Sequence, residues 1–236
     1  MRKLLLSLML LPVFALANTA VELDHAPINS RDMLSIQRGA KNFMNYCLTC
    51  HSANYMRYSR LQDLGLSEDQ IKDNLILTGV KVGETMSIAL RGADAKAWFG
   101  APPPDLTVIA RSRGVDWLYS YLRGFYRDDS RSTGWNNTVF PQVGMPHVLY
   151  ELQGEQVMVT EKAEHGEHHK LHLEKPGKLS PIQYDQFVAD LVNYLDYMGE
   201  PHKAKRIQTG IIVMFFLALL FPLAVMLKKE YWKDVK

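Results

Sequence analysis

Both cysteines of this 236-residue chain fall in one short stretch, Cys47-Leu48-Thr49-Cys50-His51. Two thiols separated by two residues can reach the vinyl groups along one porphyrin edge and form thioethers. The adjacent imidazole can then turn beneath the ring to bind iron. This is the spacing of c-type haem attachment. A thioredoxin-like redox pair would have no need of His51, and a zinc site would need a second ligand pair that the chain lacks. With Cys47 and Cys50 both committed to one haem c, no cysteine is left for a disulfide. Haem attachment and packing must therefore stabilise the domain.

An electron-transfer haem of this kind needs a sixth ligand, and a methionine there raises the potential and leaves no open position for substrate. The chain has eleven methionines. Met1 and Met9 lie in an amino-terminal leader and Met214 and Met226 in a carboxy-terminal apolar segment. Met33, Met44 and Met198 fall on helical patterns, and Met56 is too close to His51 to reach the opposite face of the ring. Met86, Met145 and Met158 remain. Met145 is favoured because it sits in Phe140-Pro141-Gln142-Val143-Gly144-Met145-Pro146, where glycine and proline favour an irregular strap. His147 competes with it and would make a bis-histidine centre of lower potential. Ala101-Pro102-Pro103-Pro104-Asp105-Leu106 is a second stiff segment, suited to a wall rather than a helix. Arg111 and Arg113 follow it, and a planar guanidinium pairs well with a haem carboxylate, although either residue equally suits a solvated helix end.

Several elements must position these groups. A cap at Ser30 and the apolar series Met33, Ile36, Ala40, Phe43 and Cys47 predict a helix that delivers the chain to the haem. Ser67-Glu68-Asp69-Gln70 is a capping box opening a helix to about Leu77. Asp116 to Phe125 reads as an amphipathic helix with Trp117, Leu118, Tyr121, Leu122 and Phe125 among its members. Ser180-Pro181-Ile182-Gln183 opens a longer one, buried through Tyr184, Phe187, Leu191, Leu195 and Met198, and closed by Gly199 and Pro201. Alternation at Val157, Val159, Leu171 and Leu173 predicts a small β ribbon over residues 149–175. His165, His168, His169 and His172 crowd its tip, where composition alone fixes no metal geometry.

The ends carry targeting information. Arg2-Lys3, the apolar run from Leu4 and the small residues before Asn18 form a signal peptide, residues 1–17, cleaved after Ala17. The charge-free run Ile207 to Leu227 spans about 31 Å as a helix, enough for the hydrocarbon core. Lys203, Lys205 and Arg206 flank it on one side and Lys228, Lys229, Tyr231 and Trp232 on the other. The leader puts residues 18–206 outside the cytoplasm, in the periplasm of a bacterium, and leaves 228–236 as a cytoplasmic tail. The whole chain carries a formal +2 charge, whereas residues 18–200 hold 18 Lys and Arg against 23 Asp and Glu. A mildly acidic exported face argues against nucleic acid and suits a basic protein partner.

The attachment pentapeptide, the proline wall, the Ala110-Arg111-Ser112-Arg113 element, the Val143-Gly144-Met145-Pro146 strap and one terminal anchor occur in an order that resembles cytochrome c1, the haem c subunit of quinol:cytochrome c oxidoreductase. The resemblance covers nearly the whole mature chain. It implies a mainly α, cytochrome c-like haem domain with a β ribbon insertion and one carboxy-terminal transmembrane helix. It further implies His51 and Met145 as axial ligands, Arg113 on a haem propionate, and Pro103 and Pro104 in the haem wall. The implied role is a relay, not an enzyme by itself: electrons from the Rieske iron–sulfur protein pass to a soluble c-type cytochrome, with cytochrome b as membrane neighbour. The chain lacks the extra cysteine pair that some family members use for a disulfide. Competing readings are a membrane-tethered c-type cytochrome serving another oxidase or reductase, a peroxidase or gas sensor with an open iron position, and a metal-handling protein using the histidine cluster.

Overall fold

The computed structural model describes residues 22–163 and 166–234. The expected signal peptide and His165 lie outside the described residues. The architecture is mainly α. In chain order the elements are α1 (Met33–Tyr46), β1 (Ala53–Arg57), a 3₁₀ helix (Tyr58–Leu64), α2 (Glu68–Asn74), β2 (Thr85–Met86), α3 (Gly92–Phe99), α4 (Ile109–Arg113) and α5 (Val115–Arg123). They continue with β3 (Phe125–Arg127), β4 (Trp135–Asn137), α6 (Tyr150–Gln153), β5 (Gly154–Ala163), β6 (Gly166–Pro176), α7 (Pro181–Gly199) and α8 (Lys203–Tyr231). Among the described residues the strands form three antiparallel pairs, β1 with β2, β3 with β4 and β5 with β6.

The central packing event is α1 against α7. Ile36, Ala40 and Phe43 of α1 are buried against Tyr194, Leu191 and their neighbours, and the Phe43 and Tyr194 rings stand 5.5 Å apart. Gly39 permits the approach: a Cβ there would lie 2.0 Å from the Asp190 carbonyl oxygen and 2.7 Å from the Tyr194 Cβ. The same contact holds a polar hub. Asp190 is 3% exposed. It accepts from Arg38 through Nε at 2.6 Å and a terminal nitrogen at 2.9 Å, from Ser35 Oγ at 2.7 Å and from Gln186 at 3.1 Å. A buried charge is tolerated when paired and saturated in this way.

Helix α5 joins the same core from the other side. The Tyr184 hydroxyl of α7 donates to the Leu122 carbonyl at 2.8 Å, and Arg123 pairs with both Asp185 and Asp24 at 2.6 Å. Asp24 belongs to an extended amino-terminal segment that crosses α5, its backbone N–H donating to Ser120 Oγ while that of Ala26 donates to Asp116.

The capping boxes at Ser67 and Ser180 form as expected. Helix α1 begins later than expected: Asp32, not Ser30, is its cap, accepting from the Ser35 N–H at 3.0 Å. Met33 accordingly sits at the exposed start of the helix, 46% accessible. Helix α2 stops at Asn74, short of Leu77, and α5 ends at Arg123 so that Phe125 opens β3. The ribbon begins at Gly154, later than the expected 149, because Tyr150–Gln153 form α6; Gly154 faces Pro176 at its root and Met158 faces Leu171 midway. Helix α8 is long and apolar enough to cross a membrane: an 18-residue window within Lys205–Tyr231 has a mean hydropathy of 2.8 and is not buried. Pro222 lies inside it without ending it.

Gly39→Ala should force α1 and α7 apart, because the atom met is backbone and cannot swing aside. The expected cost is about 2–3 kcal/mol, in the range of over-packed cores. Thermal unfolding of the purified full chain, followed by circular dichroism, measures it; an unchanged midpoint would mean that the helices part freely.

Candidate functional site

The attachment motif is a turn that continues the end of α1. The Phe43 carbonyl receives the Cys47 and Leu48 N–H groups, and the Cys47 carbonyl receives those of Cys50 at 3.1 Å and His51 at 2.8 Å. The turn brings both half-buried thiols and the imidazole to one place. Desolvation pushes the Cys47 thiol up to about 12, with the neighbouring Cys50 adding to the shift. A thiol held protonated at neutral pH does not suit a thiolate redox pair, whose reactivity rests on a lowered pKa.

His51 is oriented by the proline wall. Its Nδ1 lies 2.8 Å from the Pro104 carbonyl oxygen. A carbonyl only accepts, so Nδ1 carries the hydrogen and Nε2 presents its lone pair. Desolvation lowers the pKa of His51, against smaller opposing effects from the Pro104 bond and from Asp105, and so keeps the ring neutral. The wall is fastened in turn. Asp105 accepts from the Asn54 N–H at 2.7 Å, Ser52 Oγ at 2.9 Å, Thr107 N–H at 2.9 Å and Thr107 Oγ1 at 2.6 Å. Partial desolvation raises this carboxyl, but the four donors outweigh it and leave its pKa below the ordinary value. Leu106 N–H closes the junction by donating to the Ser52 carbonyl at 2.9 Å. Pro103 is half-buried and helps line a cleft of about 220 Å³ with Ser52, Asn54, Ile88, Leu90 and Pro102.

Met145 sits in a loop built by two asparagines. Asn137, 1% exposed, donates to the Tyr121 carbonyl at 2.8 Å and accepts the N–H groups of Val139 and Phe140. Asn136 Oδ1 accepts that of Gln142 at 2.8 Å, and Gln142 takes a positive φ of 63° to follow the turn. Gly144 then passes close to the wall's upstream end, where a Cβ would lie 3.3 Å from the Phe99 carbonyl oxygen. Met145 is half-buried, and its sulfur lies 3.4 Å from the Tyr121 hydroxyl, which donates to it. Met86, by contrast, is fully buried in the core, and its sulfur accepts from the Tyr194 hydroxyl at 3.5 Å. Met158 is held in the ribbon.

His147 is enclosed by aromatic rings, and its Nε2 is buried without a hydrogen-bond partner among the described residues. It is 3% exposed, stacked on Phe125 at 4.8 Å and met edge-on by Trp135 at 5.0 Å. Burial pushes its pKa down to about 4, with the Gln153 side chain partly opposing.

The two arginines separate clearly. Arg111 sits 3.6 Å from Glu200. Arg113 has no acidic partner among the described residues; its guanidinium lies over the Trp117 ring at 5.1 Å and near Phe140 at 5.9 Å. Trp117 stacks on Tyr121 at 4.8 Å, so an unpaired cation and the Met145 sulfur stand at opposite ends of one aromatic pair. The sequence places Asp105 in the wall but does not announce its latch to Ser52, Asn54 and Thr107, nor the roles of Asn136, Asn137 and the Tyr121 hydroxyl. Polar residues beside a glycine- and proline-rich loop were the available signal.

Of the histidine cluster, His172 faces Val157 across the ribbon, and the described residues hold no group of three or more potential metal ligands.

The Cytochrome C1 family model matches residues 24–85 and 176–235, which take in the attachment motif and the two long carboxy-terminal helices. An ammonia monooxygenase gamma subunit of Nitrosomonas europaea is 52% identical over 233 residues, covering 98% of this chain and 97% of that protein. A cytochrome c1 of Allochromatium vinosum is 49% identical over the full length of both chains, and one of Rhodospirillum rubrum is 30% identical over 87% of this chain and 83% of its own. The Met145 strap and the ribbon fall outside the matched stretches of the family model but inside these longer alignments. A family model matching more than half of the residues and a cytochrome c1 half identical from end to end place the chain in the cytochrome c1 family.

Proposed function

We propose that the chain holds one covalently attached haem c and relays electrons from the Rieske iron–sulfur protein to a soluble c-type cytochrome, as a subunit of quinol:cytochrome c oxidoreductase. Family membership implies a c-type haem and an electron-transport role. The observation that carries the finer reading is the paired thiols beside an imidazole whose Nδ1 is committed to the Pro104 carbonyl. That donor set fits the group: two sulfurs for thioethers, one neutral ring nitrogen for iron, and a thioether sulfur in a separate loop. When bound, the haem iron supplies a centre that changes oxidation state without taking up substrate.

The residues of the chain do the rest. Cys47 and Cys50 make attachment permanent, and His51 offers Nε2 because Pro104 fixes its tautomer. Asp105 holds Pro104 in place. Met145 would supply a second ligand through its thioether sulfur, from a loop that the Asn136 and Asn137 side chains hold. Arg113, lacking an acidic partner, neutralises a propionate. Residues 207–227 of α8 cross the bacterial cytoplasmic membrane beside cytochrome b, with residues 18–206 in the periplasm and 228–236 inside.

A second reading draws on the relative named as a subunit of ammonia monooxygenase: the same haem domain would serve a different membrane oxidase. Copurification from detergent extracts separates the two. A b-type cytochrome and an iron–sulfur protein should accompany this chain; their replacement by subunits of another oxidase would favour the second reading.

Purified chain should retain haem through acidified organic extraction, and carbon monoxide should leave the reduced spectrum nearly unchanged. Met145→Leu should keep the haem, lower its midpoint potential and admit carbon monoxide; an unaltered potential would sink the ligand assignment. Asp105→Asn should cost about 2 kcal/mol at neutral pH, the scale of hydrogen bonds to a charged group. Because the folded carboxyl titrates below its unfolded value, its contribution is complete above the unfolded pKa and disappears as pH falls through the folded one. Urea titrations at several pH values should therefore find the variant losing less stability on acidification than the parent chain; parallel losses would contradict the latch.

A further inference from the structure

We infer that Tyr121 is a positioning residue that sets the redox potential through Met145, its hydroxyl donating to one lone pair of the thioether sulfur and leaving the other for iron. The inference rests on Met145 being the axial ligand. A thioether sulfur has two lone pairs, and coordination uses one. The Tyr121 hydroxyl, 3.4 Å from that sulfur, can take the other.

The donor is held in place on every side. Tyr121 is 9% exposed, its ring stacks on Trp117 at 4.8 Å with an interplanar angle of 10°, and Phe125 meets it edge-on at 5.1 Å. Its carbonyl is tied to Asn137, the residue that also organises the strap carrying Met145. Donor and acceptor are thus set by one side chain. Met145 itself is unbranched and has three rotatable bonds, so a fixed partner does more for its orientation than its own rotamer preference does.

The direction of the effect follows from electron density. A proton donor draws density from sulfur and weakens its donation to iron. Ferric iron depends on that donation more than ferrous iron does, so the hydrogen bond favours the reduced form and raises the potential. The hydrogen bond that His51 makes to Pro104 acts oppositely, because there the ligand donates and becomes more basic. The two axial partners are therefore tuned in opposite senses by their surroundings.

The core supplies an internal control, since the Tyr194 hydroxyl and the Met86 sulfur form the same kind of contact at 3.5 Å in a methionine that is no ligand candidate on burial grounds. Tyr121→Phe and Tyr194→Phe should be made in the full-length chain and compared with the parent by redox titration, together with the long-wavelength absorption band of thioether-ligated ferric haem. In Tyr121→Phe the band should persist and the potential fall, so that the ferrous-to-ferric ratio at the parent midpoint drops about threefold, the size of a weak net hydrogen bond. Tyr194→Phe should titrate as the parent does. An unshifted Tyr121→Phe, or equal shifts in both variants, would overturn the role of Tyr121 while leaving the ligand in place. A parent chain without the band would instead remove Met145 as ligand, and the inference with it.

Discussion

The carboxylate of Asp105 gathers two backbone N–H groups and two hydroxyls within 2.9 Å, and that arrangement fixes the backbone on both sides of the site. The donors come from the segment just after the attachment motif and from the start of the approach to α4. One side chain therefore staples the wall to the turn that carries His51. The Pro104 carbonyl can select a single imidazole tautomer only because it cannot drift. Proline alone would not achieve this, since it restricts φ without choosing where the segment lies. Stiffness comes from the sequence of three prolines, and location comes from Asp105.

The helical scaffold solves a different problem. The chain has no disulfide to hold its ends, so the first and last helices of the domain must recognise each other by contact. Gly39 lets them touch at backbone distance, and the Arg38–Asp190 pair with Ser35 and Gln186 makes the register specific. A buried ion pair adds little net stability compared with apolar packing. Any helix pair sliding by one turn, however, would leave Asp190 buried without partners, which is strongly unfavourable. The polar hub thus acts against misregister, and α1 ends where the attachment turn must begin.

Much of this was legible in the sequence for local reasons. The attachment motif, both capping boxes, the ribbon and the long apolar helix each depend on residues close together in the chain. What could not be read depends on contacts across it. Ser30 and Asp32 are both good caps two residues apart, and Asp32 prevails because its carboxylate meets the Ser35 N–H while the Asn29 carbonyl is taken by Asn193 of α7. Asp190 and Asn193 look like the polar side of an amphipathic helix and are buried, since α1 lays Arg38 and Ser35 over them. Helix α3 has only eight residues and a weak apolar face, so nothing in its pattern announced it. The strap was recognised as irregular, but its shape belongs to Asn136 and Asn137, whose side chains replace the backbone partners that a regular strand would have had.

These differences bear on what an electron relay requires. Rapid transfer needs ligands that stay put when the iron charge changes, yet both proposed ligands sit in irregular backbone, the part of a fold that ordinarily moves most. The structure meets this by giving each irregular segment its own internal hydrogen-bond centre: Asp105 for the wall, Asn136 and Asn137 for the strap. Each centre is then tied to a regular element, the wall to β1 through the Asn54 N–H and the strap to α5 through the Tyr121 carbonyl. Gly144 against the Phe99 carbonyl brings the two segments together. Side-chain acceptors do locally what a sheet would do over a larger area. The irregular segments of the candidate site are therefore held as firmly as its regular elements.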